Sequence, residues 1–147
     1  LYRERRVQEL NALTHAIQRL ETEIVYGMVL LPDALGRVAK GGGPCADLFQ
    51  RAADALNKGE SAAESWMRAL EGWRKRSALT PEDVVPLERL SGVLGVSGAE
   101  DQSRHLRYVR SELVFRLEQA RDRLPETTRL FRALGVCGGL ALALLLL

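Results

Sequence analysis

The sequence has few of the residues from which metal sites and covalent active sites are usually built. Its 147 residues include two cysteines and two histidines. Cys45 and Cys137 lie far apart, so neither a disulfide framework nor a zinc site can be assembled from them. His105 has no acid, serine or cysteine placed by the sequence to orient it, and His15 is simplest as a solvated helix residue. We therefore predict a reduced, intracellular protein that is not an enzyme and carries no cofactor.

Aromatic residues and excess charge of one sign are also scarce. Aromatics make up 5% of the chain, and 21 basic residues face 19 acidic ones, for a formal net charge of +2. A nucleic-acid-binding protein needs a basic stripe or a stacking platform, so this class is excluded. The glycine run at 41–43 is followed by Pro44 and Cys45 rather than by the Lys-Ser/Thr of a phosphate-binding loop. We interpret it as a linker.

No segment keeps the two-residue alternation that is typical of a half-buried strand. Apolar residues recur instead at steps of three and four, which predicts helices with one buried face. Trp66 and Trp73 share one such face, and core packing is the simpler interpretation of the pair, with a partner interface as the alternative. The pattern predicts an all-α protein, a six-helix antiparallel bundle with short connections.

Local signals place the ends of these helices. Three capping boxes are expected, at Ser61–Glu64, Thr80–Asp83 and Ser97–Glu100. Gly59 should end the third helix, and Pro86 should kink the fifth helix or delay its regular start. The sixth helix should be the longest. Charge spacing predicts pairs four residues apart, and the sequence offers Arg19–Glu23, Asp47–Arg51, Asp54–Lys58, Glu100–Arg104 and Glu112–Arg116.

The stretch from Leu134 to Leu147 holds no charged side chain. Apolar surface of this extent favours insertion into a bilayer, since removing apolar surface from water is favourable by about 25 cal/mol per Å². The stretch is shorter than the ~20 residues of a usual span, but Arg132 could extend its side chain to the headgroups. Gly138 and Gly139 would let a neighbouring membrane helix approach closely. We therefore predict that this stretch is a membrane anchor that extends to Leu147. The alternative is that it forms a short helix in the core of the protein.

The other end of the chain carries a matching pattern. The sequence begins at Leu1 rather than Met, and Arg3, Arg5 and Arg6 follow at once. We expect that an N-terminal membrane helix has been cut away and that arginines flank both membrane edges. The positive-inside rule then predicts a cytoplasmic body. The expected organisation is a helical bundle over residues 1–131 and a transmembrane segment over 132–147.

Two blocks of the sequence resemble the stage III sporulation protein AB family of endospore-forming bacteria. They are the segment 20–27 (LETEIVYG) with 31–35 (LPDAL), and the terminal Leu-Gly-Val-x-Gly-Gly motif at 134–139. The likeness covers essentially the whole chain. The alternation of a helix, a glycine break and a short helix is also similar to the cytoplasmic domains of type II secretion platform proteins. Gly98 departs from the family pattern, in which an Asp is expected.

The resemblance implies a six-helix domain held by one membrane helix at each end. It also implies a role in the channel-like apparatus between mother cell and forespore, beside a secretion-type ATPase and other membrane subunits of the same complex. We accordingly expect a subunit in the mother-cell membrane whose soluble domain faces the cytoplasm and which could form homo-oligomers. The alternative is a tail-anchored helical dimerisation or regulatory module without a channel role.

A candidate partner interface can be proposed on the same basis. Arg107 and Arg110 have no acid at helical spacing on their C-terminal side, so we expect them to meet an acidic partner or lipid headgroups. An ordinary solvated face is the simpler alternative. Glu21, Glu23 and Tyr26 lie in the family-like block and complete the candidate set. Glu21 and Glu23 lie on different sides of a helix, so they cannot act as a paired acid and base.

Overall fold

The computed structural model describes residues 1–96 and 98–124 of the chain. Within these ranges it contains α-helices and one 3₁₀ turn and no strand, which confirms the predicted all-α fold with six helices. The helices are α1 (Tyr2–Val25), α2 (Leu31–Lys40), α3 (Ala46–Asn57), α4 (Ala62–Arg74), α5 (Pro81–Arg89) and α6 (Ala99–Asp122), and the 3₁₀ turn spans Leu90–Gly92.

The frame of the molecule is the antiparallel pair α1 and α6, which make the most extensive helix–helix contact. At one end, Arg3 Nη1 lies 3.5 Å from the carbonyl oxygen of Arg123. At the other end, Arg107 pairs with Glu21 at 3.4 Å. Both helices have 24 residues, so α6 equals α1 rather than exceeding it as predicted. Each is about 36 Å long at 1.5 Å per residue.

The remaining helices close the core against this pair. Helix α3 packs on both α2 and α4, and α5 with the 3₁₀ turn lies between α4 and α6. Trp66 is 1% exposed and its Nε1 donates to the carbonyl oxygen of Leu87 at 2.6 Å. The Trp66 ring also packs against Phe49 at a centroid distance of 5.6 Å. Trp73 is buried and donates to the carbonyl oxygen of Pro44 at 3.1 Å. Both tryptophans therefore belong to the core.

The predicted helix caps hold to different degrees. At Thr80–Asp83 both hydrogen bonds of the capping box form, at 3.2 and 3.0 Å. At Ser61, the side chain accepts from the Glu64 amide at 3.2 Å, but the structure shows no return bond from the Glu64 carboxylate. Helix α6 has Gly98 as its N-cap, one residue later than predicted, and Gly98 has no side chain to cap with. Ser97 lies outside the described residues.

Gly59 and Pro86 were predicted to affect the end of α3 and the course of α5. Gly59 ends α3 with a φ of +93°, in the left-handed region that glycine adopts without steric cost. Helix α5 starts at Pro81 without delay and includes Pro86, which is buried. Proline cannot donate an N–H to the carbonyl oxygen four residues earlier. Helix α5 ends at Arg89 and is followed directly by the 3₁₀ turn at Leu90.

Two of the predicted intrahelical ion pairs form, Arg19–Glu23 at 3.1 Å and Asp47–Arg51 at 2.8 Å. The other three are not among the ion pairs of the described residues. The observed partners are Asp101 for Arg104, Arg89 for Glu112, Asp83 for Arg116 and Gln50 for Asp54. An exposed pair four residues apart contributes only about 0.3–0.5 kcal/mol. Other partners therefore displace it readily, either on another helix, as for Glu112 and Arg116, or on the same helix, as for Arg104 and Asp54.

Among the described residues, none of the helices has the length and apolar character needed to cross a membrane. The predicted segment 132–147 lies outside the described residues. The same holds for the predicted anchor residues, which are Arg132, Leu134, Gly138, Gly139 and Leu147.

Candidate interaction surfaces

Four large apolar side chains are exposed at the end of the bundle where α1 leads into α2. They are Tyr26 (79% exposed), Met28 (87%), Leu30 (75%) and Val96 (75%). Val96 joins this group because the preceding Gly95 lies against Leu31 and Ala62. We call these four residues the tip surface. Clustered apolar exposure of this kind marks a contact site more often than scattered single residues do.

The backbone of the tip surface is tightly held. The amides of Tyr26 and Gly27 both donate to the carbonyl oxygen of Thr22, at 2.9 and 3.1 Å, and the Val29 amide donates to the Glu23 carbonyl oxygen at 3.1 Å. A Cβ at Gly27 would lie 2.8 Å from that same Glu23 oxygen. Met28 has a φ of +50°, a conformation that costs a residue other than glycine about 1–2 kcal/mol. The turn thus presents an exposed Met side chain in a strained backbone.

The structure brings three of the predicted interface residues to this end. Glu21 and Tyr26 lie near the end of α1, and Arg107 reaches Glu21 from α6. Arg107 also donates to Ser103 Oγ at 3.0 Å, and its side chain remains 67% exposed. A cavity of about 370 Å³ lies between Val25 and the first turns of α6. Arg107 therefore has an acidic partner within the chain itself and keeps much of its guanidinium in solvent.

The other two predicted interface residues are placed differently. Glu23 accepts from Arg19 and Arg37, each at 3.1 Å, and so ties α1 to α2. Arg110 is half-buried along α6, and none of the ion pairs in the described part of the chain includes it. Whether Glu23 and Arg110 touch a partner stays a prediction.

A buried charged cluster joins α1, α5 and α6, and the sequence analysis did not anticipate it. Asp83 is completely buried. Arg6 donates to both carboxylate oxygens of Asp83, at 2.6 and 2.8 Å, and Arg116 Nε donates at 2.9 Å. The Thr80 amide adds a further bond at 3.0 Å. One signal was present, because Arg6 continues the buried stripe that begins at Leu10.

The hydrogen bonds decide the charge state of this cluster. Burial by itself would raise the pKa of Asp83, but hydrogen bonds from Arg6, Thr80 and Arg116 outweigh it and bring the pKa to about 2. The hydrogen bond to Asp83 raises the pKa of Arg6. The carboxylate is therefore ionised and fully bonded at neutral pH, and no substrate can reach it. Its role is to hold three helices together.

A groove of about 460 Å³ runs between α5 and α6. Val85, Pro86 and Phe115 form its apolar part, and charged residues, among them Glu82, Arg89 and Glu112, also line it. Phe115 is 57% exposed. This groove is a second apolar surface, on the side of the bundle rather than at its tip.

Little in the described residues is suited to covalent chemistry. Cys45 is buried, and desolvation raises the pKa of its thiol to about 11. A thiol with such a pKa is protonated at neutral pH and therefore a poor nucleophile. No cluster of three or more metal-ligating side chains occurs within residues 1–96 and 98–124. That the protein is not an enzyme stays a prediction.

Comparisons with known proteins agree on one family. The family model described as stage III sporulation protein AB matches residues 2–147. The chain is 29% identical over 144 residues to the stage III sporulation protein AB of Bacillus subtilis (strain 168), covering 97% of this chain and 84% of that protein. It also resembles a solved structure of a stage III sporulation protein AB, with a TM-score of 0.78 and 26% identity. That match covers 84% of this chain and 98% of the other.

Proposed function

The chain belongs to the stage III sporulation protein AB family, and on that premise we propose that it is a non-enzymatic platform subunit in a membrane. The complex would be a secretion-like channel between mother cell and forespore, and the subunit would dock an ATPase and other membrane subunits. The soluble bundle faces the mother-cell cytoplasm in this proposal.

The observation that carries the proposal is the antiparallel pairing of α1 and α6. The start of α1 and the end of α6 lie side by side, as the contact between Arg3 and Arg123 shows. The chain beyond α6 leads towards the apolar stretch from Leu134 to Leu147. The tip surface lies at the opposite end of the two helices, about 36 Å away by helix length. A bundle attached to a membrane at the first end would present the tip surface to the cytoplasm.

The buried cluster supports a mechanical role for the bundle. Arg6, Asp83 and Arg116 link α1, α5 and α6 close to the end at which the chain would meet the membrane. Charged hydrogen bonds in a buried site hold their geometry more strictly than exposed ion pairs do. A force applied at the tip would therefore pass through a stiff body to the membrane, as expected if an ATPase moves the platform.

We assign the docking of the cytoplasmic partner to the tip surface. Exposed aromatic and Met side chains are typical of interface cores. Tyr26, Met28 and Leu30 follow one another within five residues, and the partly exposed Arg107 lies at the same end. An apolar centre with a basic side chain at its edge fits a partner surface that combines apolar and acidic residues.

The experiment is affinity purification of the full chain from membranes of sporulating cells, comparing wild type with Met28→Glu plus Leu30→Glu. We expect the variant to lose most of the co-purifying ATPase, at least tenfold, because two charges would be buried in the apolar contact. Gln18→Glu plus Asn57→Glu is the matched control, since it adds the same charge at exposed positions outside the tip surface.

Each contrary outcome has a separate meaning. Wild-type levels of ATPase on the tip variant would contradict docking at the tip surface. If the wild-type chain co-purifies with no ATPase or membrane subunit and only self-associates, the platform proposal fails. The result would then favour a tail-anchored dimerisation or regulatory module.

A further inference from the structure

A basic pocket of about 330 Å³ lies at the end of the bundle where α1 starts and α6 ends. We call it the chain-end pocket. Its lining includes Tyr2, Arg3, Arg6, Thr80, Ala120 and Arg123. Three of these side chains are arginines and none is acidic. The acids nearest to it along the chain, Glu4 and Asp122, are not part of the lining.

The charges of this pocket are incompletely neutralised within the chain. Asp83 accepts from both Arg6 and Arg116, so one buried carboxylate serves two guanidinium groups, and Glu82 adds a further charge attraction to Arg6. Neither Arg3 nor Arg123 forms an ion pair with any acid in the described part of the chain. Arg3 bonds only weakly to a backbone oxygen, at 3.5 Å. The pocket therefore carries positive charge that no acid of the described residues neutralises, and a bound anion would neutralise it.

We propose that the chain-end pocket binds the phosphate of an anionic phospholipid headgroup. Guanidinium groups form paired, charge-assisted hydrogen bonds with phosphate oxygens, and an anionic membrane surface attracts arginines placed beside it. Position decides between a lipid and a free phosphate. The pocket is at the end from which the chain leads to the apolar stretch 134–147, and Tyr2 is 65% exposed beside it. Tyrosine and arginine together are typical of a membrane–water interface.

The inference rests on the proposed attachment to a membrane and adds a specific function for this end of the bundle. A headgroup bound between Arg3 on α1 and Arg123 at the end of α6 would join the two helix ends through one phosphate. It would also set the bundle at a defined height and tilt on the membrane. The pocket is large enough for a headgroup, and the acyl chains would remain in the bilayer.

The test is native mass spectrometry of the full chain in detergent, titrated with phosphatidylglycerol or with phosphatidylcholine. We expect selective retention of phosphatidylglycerol by the wild type. Arg3→Gln plus Arg123→Gln should weaken it roughly 25-fold, because each basic residue at an anionic lipid surface contributes about a fivefold factor. Lys40→Gln plus Lys58→Gln removes the same charge at exposed positions that do not line the pocket and should leave retention unchanged.

Three results would overturn the inference. One is equal retention of the two lipids by the wild type, and another is equal weakening by both double variants, which would indicate general charge attraction. The third is that inorganic phosphate at millimolar concentration displaces phosphatidylglycerol completely and raises the melting temperature of the protein as much as phosphatidylglycerol does. The pocket would then be a site for free anions. Capture of the ATPase is measured independently of lipid retention, so the platform proposal and this inference can fail separately.

Discussion

At the scale of single residues, Asp83 has the most consequential environment in the described structure. Its carboxylate accepts from two arginines and from the Thr80 amide, and it is completely buried. Removing one partner of a buried charge pair leaves the other charge uncompensated, which costs far more than losing an exposed pair. The stability of the bundle should therefore depend strongly on this one side chain.

Asp83→Asn should lower the free energy of unfolding by about 3–5 kcal/mol, because Arg6 would remain buried without a counter-charge. Urea denaturation at pH 7 measures this value. Asp47→Asn is the matched control. Asp47 pairs with Arg51 and Arg76 at an exposed site, so the expected loss is only about 0–1 kcal/mol. Equal losses in the two variants would show that the buried cluster has no special role.

The pH dependence of this difference follows from the pKa of Asp83. The folded protein holds that pKa at about 2, below the ordinary 3.8. The stabilising contribution is then fully present above pH ~4 and disappears as the pH falls through about 2, because the unfolded chain takes up the proton first. The stability curves of wild type and Asp83→Asn should converge between these two values. Curves that stay parallel would contradict the assignment.

At the scale of helices, residues at the ends matter more than exposed charge pairs. Thr80 forms the complete predicted capping box, and Ser61 forms half of one. Only two of the five pairs predicted from four-residue spacing form, and a long charged side chain can take a partner from elsewhere in the fold. Glu112, for example, pairs with Arg89 on α5 instead of Arg116. Capping depends on the backbone next to it and can be predicted locally, whereas the partner of a long charged side chain depends on packing.

Gly98→Asp should raise the free energy of unfolding by about 0.5–1 kcal/mol, because it gives α6 an acidic N-cap. Gly98 has an extended backbone (φ −64°, ψ 167°) and open space around its missing side chain, so the new residue fits without strain. Thermal and urea denaturation measure the change. Gly98→Ala separates the effect of glycine removal from that of the cap, and the capping explanation fails if alanine stabilises as much as aspartate.

At the scale of the whole molecule, the long helices α1 and α6 define two ends with different properties. One end carries the chain-end pocket with Arg3 and Arg123, and the other carries the tip surface. A bundle built this way suits a protein that meets a membrane on one side and a protein partner on the other. Within the described residues, the large buried side chains pack into one cluster.

Deleting residues 133–147 should leave a bundle that stays in the aqueous fraction and keeps its helical circular dichroism, while the intact chain sediments with membranes. The reason is that the described helices pack their large apolar side chains into one cluster of their own, whereas the stretch 134–147 is the part whose sequence predicts a membrane anchor. Leu142→Arg plus Leu145→Arg in the full chain is a length-matched control. It should also weaken membrane retention, because each arginine in a membrane helix costs about 2.5–3.5 kcal/mol. Unfolding of the shortened chain would instead make this stretch part of the core.

Sequence patterns alone predicted the helical class, the six helices of the described residues, several helix ends and the family. Each of these depends on signals within a few residues, such as the spacing of Leu10, Leu13 and Ile17 or the motif Thr80–Asp83. Which charges meet could not be predicted in this way, because it depends on how the helices pack. Arg6, Asp83 and Arg116 are separated by many residues along the chain, and their contact exists because α1, α5 and α6 pack together. The tip surface and the chain-end pocket depend on the same packing.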